Sequence, residues 1–464
     1  MVDPRGNIST MYWLGRRRAG VALLAFALLL NGLVWALTLP AFDGPDEPAH
    51  FDYAQLLGLR GRLPVNDANL QAGPDVNALI TTTLVVPDFG LSARFYPERL
   101  GSGSQGAREA QVAAIPPDPG AHTPAGQYGP TAYLLFGAAV RLARPGGVMA
   151  ELLAARLVAV CLGVLAAMVA MWAAREAGLG RKLAISVAVL VGLQPMWAQQ
   201  TAIVSNEAAV LLCSSLFIAL TLRWLRRPSA RVALLASASL GIGLLTKPSM
   251  AFALPFLAIF ALPAFGRKPR AQRLLGLLTA ATCGLLAAGP LLLWSLHTAP
   301  AVPSGSSGKS LAAYWTEITA NNAGYLHRIF DSFWGDFGWL EQKLPAGVLF
   351  ALGVVFVLAT TLALVGLWRM RSRRAGIFLA SLVIANVAFL LYFDTRLWSA
   401  QGGLSLQGRY LLPVLPAMVI LPVIGLRTIT TTRLRSLLAP ALVAAAIALD
   451  IVALATLWGR YYVA

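Results

Sequence analysis

The sequence predicts an all-α, polytopic membrane protein. Of its 464 residues, 57% are hydrophobic and only 12% are charged, and apolar runs about 20 residues long recur along most of the chain. A soluble domain carries about 25% charged residues. A soluble chain of this length would also divide into domains with polar surfaces. The net charge of +17 is spread over short basic clusters between the apolar runs rather than gathered in one patch. That is the pattern of membrane loops and excludes nucleic acid as a partner.

The first apolar run covers about 19–40 and follows Arg16, Arg17 and Arg18. No small-residue cleavage site follows it, so it reads as a retained helix rather than a signal peptide. Further runs fall at about 152–174, 183–203, 205–222, 231–247, 250–265, 272–296, 346–368, 375–393, 409–426 and 436–458, giving about eleven helices. Residues 1–464 are expected to form one integral-membrane domain with two long polar loops, 41–150 and 297–345, and no soluble C-terminal domain is expected. Within the first loop, residues 48–59 read as a helix. Tyr128 to Leu142 is apolar and aromatic but short, as an interfacial helix is. Cys161, Cys213 and Cys283 all lie in apolar runs without metal-ligand spacing, so neither a disulfide nor a zinc site is expected.

Charge sets the orientation. The clusters at Arg16–Arg18, Arg181/Lys182, Arg223–Arg231, Arg267–Arg273, Arg369–Arg374 and Arg427–Arg435 fall in alternate loops, which are then cytoplasmic. The acidic residues, except Asp3, Glu176 and Asp450, lie in the other set. The N-terminus is therefore expected inside, and the C-terminus and both long loops outside, at a bacterial inner membrane.

The densest chemistry follows the first helix, in Phe42-Asp43-Gly44-Pro45-Asp46-Glu47-Pro48-Ala49-His50-Phe51. Asp46 and Glu47 stand at the N-terminus of the expected 48–59 helix, whose dipole favours anions. Carboxylates there suit general-base work or a divalent cation such as Mg or Mn, and equally a helix cap. Asn206, Glu207, Lys247, Gln407, Arg409 and Tyr410 fall at the same outer level. Carboxylates and cations gathered there can hold a phosphate. The second long loop adds Tyr314, Trp315, Tyr325, His327, Arg328 and Trp334. Aromatic and polar groups interleaved in this way suit either a sugar ring or an interfacial belt.

These motifs resemble those of the GT-C class of membrane glycosyltransferases. Pro45-Asp46-Glu47-Pro48-Ala49-His50-Phe51 is similar to the Asp-Glu motif of the class's first outer loop, and Thr246-Lys247 to its Thr-Lys pair. Tyr128-Gly129-Pro130, Phe333-Trp334-Gly335-Asp336-Phe337-Gly338 and Gln407-Gly408-Arg409-Tyr410 resemble marks of a bacterial multi-pass family within that class. The resemblance implies an outer-face active site and inverting transfer of a monosaccharide from a polyprenyl-phosphate donor to a glycan or lipid acceptor of the cell envelope. It implies Asp46 as general base and Glu47 as its catalytic companion. Asp43, His50, Tyr128, Asn206, Glu207, Lys247, His327, Arg328, Gln407, Arg409 and Tyr410 would bind substrate. Any metal would sit on Asp46 and Glu47; several relatives work without one. A lipid-linked glycan flippase, an oligosaccharide ligase and a non-catalytic assembly factor remain alternatives.

Overall fold

The computed structural model describes residues 4–64, 124–264, 269–296, 307–320, 322–338, 340, 342–370, 373–404 and 406–463. Most of the first long loop, 65–123, thus lies outside the described residues. The rest is a helical bundle. The expected 19–40 helix lies within α1 (Pro4–Thr38), and the expected 48–59 helix is α2 (Glu47–Arg60). A turn of 3-10 helix, Pro124–Gln127, precedes the short α3 (Thr131–Ala143). Then come α4 (Gly147–Glu176), α5 (Arg181–Gly192), α6 (Pro195–Gln200), α7 (Glu207–Arg226) and α8 (Ala230–Thr246). A 3-10 helix, Pro248–Ala264, leads to α9 (Arg270–Ser295). The second long loop holds α10 (Leu311–Ala320), α11 (Asn322–Trp334) and an antiparallel hairpin of β1 (Asp336–Phe337) with β2 (Gln342–Lys343). The chain continues through α12 (Ala346–Arg369), α13 (Arg373–Gln401), a 3-10 segment Gly408–Val414, α14 (Leu415–Ile429) and α15 (Arg435–Tyr462).

Each of the eleven apolar runs is helical, but only eight helices among the described residues are long and apolar enough to cross a membrane. The other three are shortened for identifiable reasons. Pro195 has no N–H and drives Gln194 into extended backbone (φ −64°, ψ 123°), so the 183–203 run breaks into α5 and α6. The side chain of Gln194 fills the break, accepting from Trp197 N at 2.6 Å and donating to Phe333 O at 2.5 Å. Pro248 likewise ends α8 after 17 residues. The next segment continues as 17 residues of 3-10 helix, whose rise of about 2.0 Å per residue carries it about as far as a longer α-helix would.

The core is built from small side chains that let helices approach: Ala166, Ala170 and Ala173 of α4 are fully buried, with Trp35 and Trp197 filling the wider gaps. Helix α12 does the opposite and exposes Phe350, Val357 and Leu364, as a lipid-facing helix does. The short α2 and α3 form a separate pair at one end of the bundle. They cross at Gly58 and Gly137, where a Cβ on Gly58 would lie 2.2 Å from the Gly137 carbonyl oxygen. Helix α3 buries Tyr133, Phe136 and Val140 and exposes Leu134, Leu135 and Leu142, the two-faced surface of an interfacial helix.

Candidate active site

The site begins with a strained turn between α1 and α2. Phe42 (φ 64°) and Asp46 (φ 63°) both adopt left-handed backbone, which is uncommon outside glycine. A buried arginine holds this turn. Arg156 of α4 donates to the carbonyls of Ala36 and Leu39, each at 2.7 Å, and of Pro40 at 2.8 Å. These cap the C-terminal end of α1, where a cation also suits the helix dipole. The same guanidinium grips Glu47 in a fork, Nε to Oε1 at 2.8 Å and a terminal nitrogen to Oε2 at 2.6 Å. Val204 N adds a third bond to the Glu47 carboxylate, donating to Oε1 at 2.9 Å. One side chain therefore ties the end of α1 to the start of α2 and fixes Asp46 between them.

Asp46 stands at the N-cap position of α2, yet its side chain makes no capping bond. It accepts instead from Arg409 at 2.9 Å. Arg409 is 7% exposed and Asp46 53% exposed, so the pair sits with its carboxylate toward the surface and its cation on the inner side. Arg409 lies over the Tyr410 ring at 5.3 Å, and Lys247 lies over the same ring at 5.0 Å. Lys247 also pairs with the buried Glu207. Withdrawal from water raises the Asp46 carboxyl pKa, but the charge and hydrogen bond of Arg409, with the charge of Lys247, outweigh it and hold it below the ordinary carboxylate range. His50 donates to or accepts from Tyr133 Oη at 2.6 Å and is flanked by the Tyr128 and Tyr133 rings. Burial among them pushes its pKa down to about 4, so the imidazole is neutral at pH 7.

Tyr128-Gly129-Pro130 binds α2 to the lysine segment. Tyr53 Oη donates to Tyr128 O at 3.3 Å, Gly129 N donates to Leu245 O at 2.9 Å, and the Thr131 and Thr246 hydroxyls meet at 2.6 Å. Asn206 Nδ2 donates to Thr246 O at 3.3 Å. The arginine segment is held from the far side. Gly408 N donates to Ser332 Oγ at 2.8 Å, and a Cβ on Gly408 would lie 2.1 Å from Ile329 O, so only glycine allows this approach. Buried Asp394 accepts from Leu406 N and Tyr314 Oη, both at 3.1 Å, and from Tyr325 Oη. Buried Arg409 Nε and Asn206 Oδ1 at the cluster, and Gln407 Oε1 on the arginine segment, have no hydrogen-bond partner among the described residues. Groups left so are ones a ligand can satisfy.

The family described as "Predicted membrane protein (DUF2142)" matches residues 29–418. The chain belongs to that family. None of the curated proteins compared with the chain matches it. Among solved structures, ArnT from Cupriavidus metallidurans bound to undecaprenyl phosphate is similar over 96% of this chain and 78% of its own, at 16% identity and a TM-score of 0.51. The apo form of the Archaeoglobus fulgidus oligosaccharyltransferase is similar over 93% of this chain and 56% of its own, at 13% identity and a TM-score of 0.49. The likeness to ArnT shows a shared fold, the GT-C bundle that the sequence motifs implied.

In this family member the residues expected at one level do meet. Asp46, Glu207, Lys247, Arg409 and Tyr410 form one cluster, with Asn206, His50 and Tyr128 around it and Gln407 next to it in the chain. Glu47, expected beside Asp46 as a second catalytic carboxylate, turns into the bundle instead, because Arg156 offers both fork nitrogens there. Asp43, expected to bind substrate, is buried and accepts from Tyr461 Oη, tying the end of α15 to the turn. His327 and Arg328 are exposed on α11, where Arg328 lies over the Tyr325 ring at 5.7 Å. The two ion pairs of the cluster are made without them. A divalent cation on Asp46 and Glu47 does not fit this arrangement, since the Glu47 oxygens are taken by Arg156 and Val204 N. No group of three or more metal-ligating side chains forms among the described residues.

Sequence reasoning missed Arg156 and Asp394. Arg156 was legible as a lone charge inside the 152–174 run, where an ionisable residue is costly without a partner. Asp394 gave no such signal, because it follows the 375–393 run and reads as a loop residue.

Proposed function

We propose that this protein is an inverting glycosyltransferase that moves a monosaccharide from a polyprenyl-phosphate donor to a hydroxyl of a cell-envelope glycan or lipid. The observation that carries this reading is the cluster itself: a half-exposed carboxylate, Asp46, beside two cations, Arg409 and Lys247, stacked on one tyrosine ring. The ArnT likeness supports it, since that protein's structure holds undecaprenyl phosphate. The positive-inside pattern supports an outer-face site in a bacterial inner membrane, with the N-terminus cytoplasmic and the C-terminus outside.

In the reaction, Asp46 accepts the proton of the acceptor hydroxyl as its oxygen attacks the anomeric carbon. The bond from that carbon to the phosphate oxygen breaks, and its electron pair leaves with the phosphate. Attack opposite the leaving group inverts the anomeric centre. Arg409 and Lys247 meet the charge growing on the phosphate, the role preorganised cations fill best. A general base of this kind contributes roughly 10²–10⁴-fold in rate. Neutral His50 and the unpartnered atoms of Asn206 and Gln407 face the sugar and phosphate as hydrogen-bonding groups. Glu47 acts through position alone, with Arg156.

The test is transfer of labelled sugar from a panel of polyprenyl-phosphate monosaccharides to envelope lipids and glycans, with purified protein in lipid nanodiscs. Product with the anomeric configuration opposite to the donor's is expected. Retained configuration, or transfer only from diphosphate-linked oligosaccharides, would replace this reading with another transferase or a ligase.

A further inference from the structure

Both cations of the cluster are already engaged, Arg409 by Asp46 and Lys247 by Glu207. Among the described residues, each cation of the cluster therefore already faces a carboxylate, and a donor phosphate that takes the paired edge of one displaces that carboxylate. The structure distinguishes which one. Glu207 and Lys247 are both buried, at 7% and 13% exposure, so neither can leave its partner without a large desolvation cost. Asp46 is 53% exposed, while Arg409 is buried and stacked on Tyr410. Asp46 is also uncommitted to its own helix, because it makes no capping bond. It can turn into water while Arg409 stays in place. A carboxylate paired with arginine is also a poor proton acceptor, being held in its charged form.

We propose that Asp46–Arg409 is an exchange pair. The phosphate monoester of the lipid-linked donor takes the Arg409 guanidinium, and Asp46 is thereby released to act as base. This rests on the glycosyltransferase reading above and adds an order to it: donor first, acceptor second. Arg409 thus has two successive partners, and the base becomes competent only in a donor-loaded site. The buried, unpartnered Arg409 Nε gives the phosphate a second contact that Asp46 does not use. After transfer, Asp46 carries the acceptor's proton and competes poorly for Arg409. Loss of that proton to water restores the ion pair and expels the polyprenyl phosphate.

The exchange predicts that Asp46 opposes phosphate binding. Polyprenyl phosphate without sugar is titrated into nanodisc-embedded wild type, Asp46→Asn, Arg409→Ala and the double variant, at constant ionic strength. Asparagine tolerates left-handed backbone, so Asp46→Asn keeps the turn. This variant is expected to bind about twofold to fivefold more tightly than wild type, the span of a half-exposed ion pair. Arg409→Ala is expected to lose more affinity in the Asp46→Asn background than in wild type, because only there is the guanidinium unopposed. Equal or weaker binding by a monodisperse Asp46→Asn would overturn the exchange. So would an Arg409→Ala loss that is the same in both backgrounds, a comparison that needs no assumption about activity. If wild type binds polyprenyl phosphate and transfers sugar while these affinities stay flat, only the exchange fails. If neither wild type nor any variant binds it, the glycosyltransferase reading fails with it.

Discussion

Glu47→Gln separates the framework of the site from its chemistry. The substitution preserves shape but removes the charge opposite Arg156. In wild type Arg156 makes five hydrogen bonds, three to carbonyls at the end of α1 and two to Glu47, with both side chains essentially fully buried. The carbonyls supply only partial charge, so the variant leaves a buried cation largely uncompensated. Breaking a buried pair from one side costs roughly 3–5 kcal/mol. Arg156→Met should cost a similar amount, since it strands the Glu47 carboxylate and three carbonyls. The double variant Glu47→Gln/Arg156→Met removes both charges and is expected to lose clearly less than the sum of the two. Thermal unfolding in detergent micelles, with gel filtration to follow aggregation, measures all four proteins. Glu47→Gln with unaltered thermal stability but abolished transfer would refute the framework role and return Glu47 to the chemistry.

Lys247→Ala should lower transfer by about tenfold or more, since a preorganised cation at a developing anion is removed, with donor titration checking whether kcat falls with KM. Asp394→Asn weakens the hold on Tyr314, Tyr325 and Leu406, so limited proteolysis should cut the α10–α11 region faster. His50 has a folded pKa near 4 against 6.5 in the unfolded chain. Between those values the unfolded chain binds the additional proton, so stability should fall as pH drops from about 6.5 to 4, and His50→Gln should flatten that slope. Asp46 acts with the same sign in a more acidic window: its folded pKa lies below its unfolded one, so its contribution is complete above the unfolded value and disappears as pH falls through the folded value. The base limb of the kcat/KM profile should accordingly lie below the ordinary carboxylate range in free enzyme.

The fold was largely legible because apolar runs between basic clusters leave few alternatives, and each run became helix. What the runs did not reveal was continuity. Pro195 and Pro248 sit inside or beside apolar stretches that hydropathy alone joins up or measures as ordinary spans. By hydropathy the second long loop reads only as a polar segment, yet it folds into α10, α11 and a hairpin; the helical spacing of Tyr325, Leu326, Ile329, Phe330, Phe333 and Trp334 was there to announce α11. At the site, side and level were legible from charge, which is why Lys247, Glu207, Arg409 and Asp46 could be grouped from sequence. Partnership was not. Asp46 and Glu47 are neighbours in the chain, but a left-handed residue at the helix start sends them to different arginines. No spacing rule distinguishes the two carboxylates. Only the position of Arg156 on α4, far away in sequence, does so.

The measurement that bears most directly on the account is single-turnover sugar transfer by wild type, Asp46→Asn and Glu47→Gln, each in nanodiscs with saturating polyprenyl-phosphate donor. The account predicts that Asp46→Asn binds donor yet transfers roughly 10²–10⁴-fold more slowly. It predicts that the fraction of Glu47→Gln that remains folded keeps a rate within about tenfold of wild type. Near-normal transfer by Asp46→Asn would contradict the assignment of Asp46 as the base and, with it, the central claim.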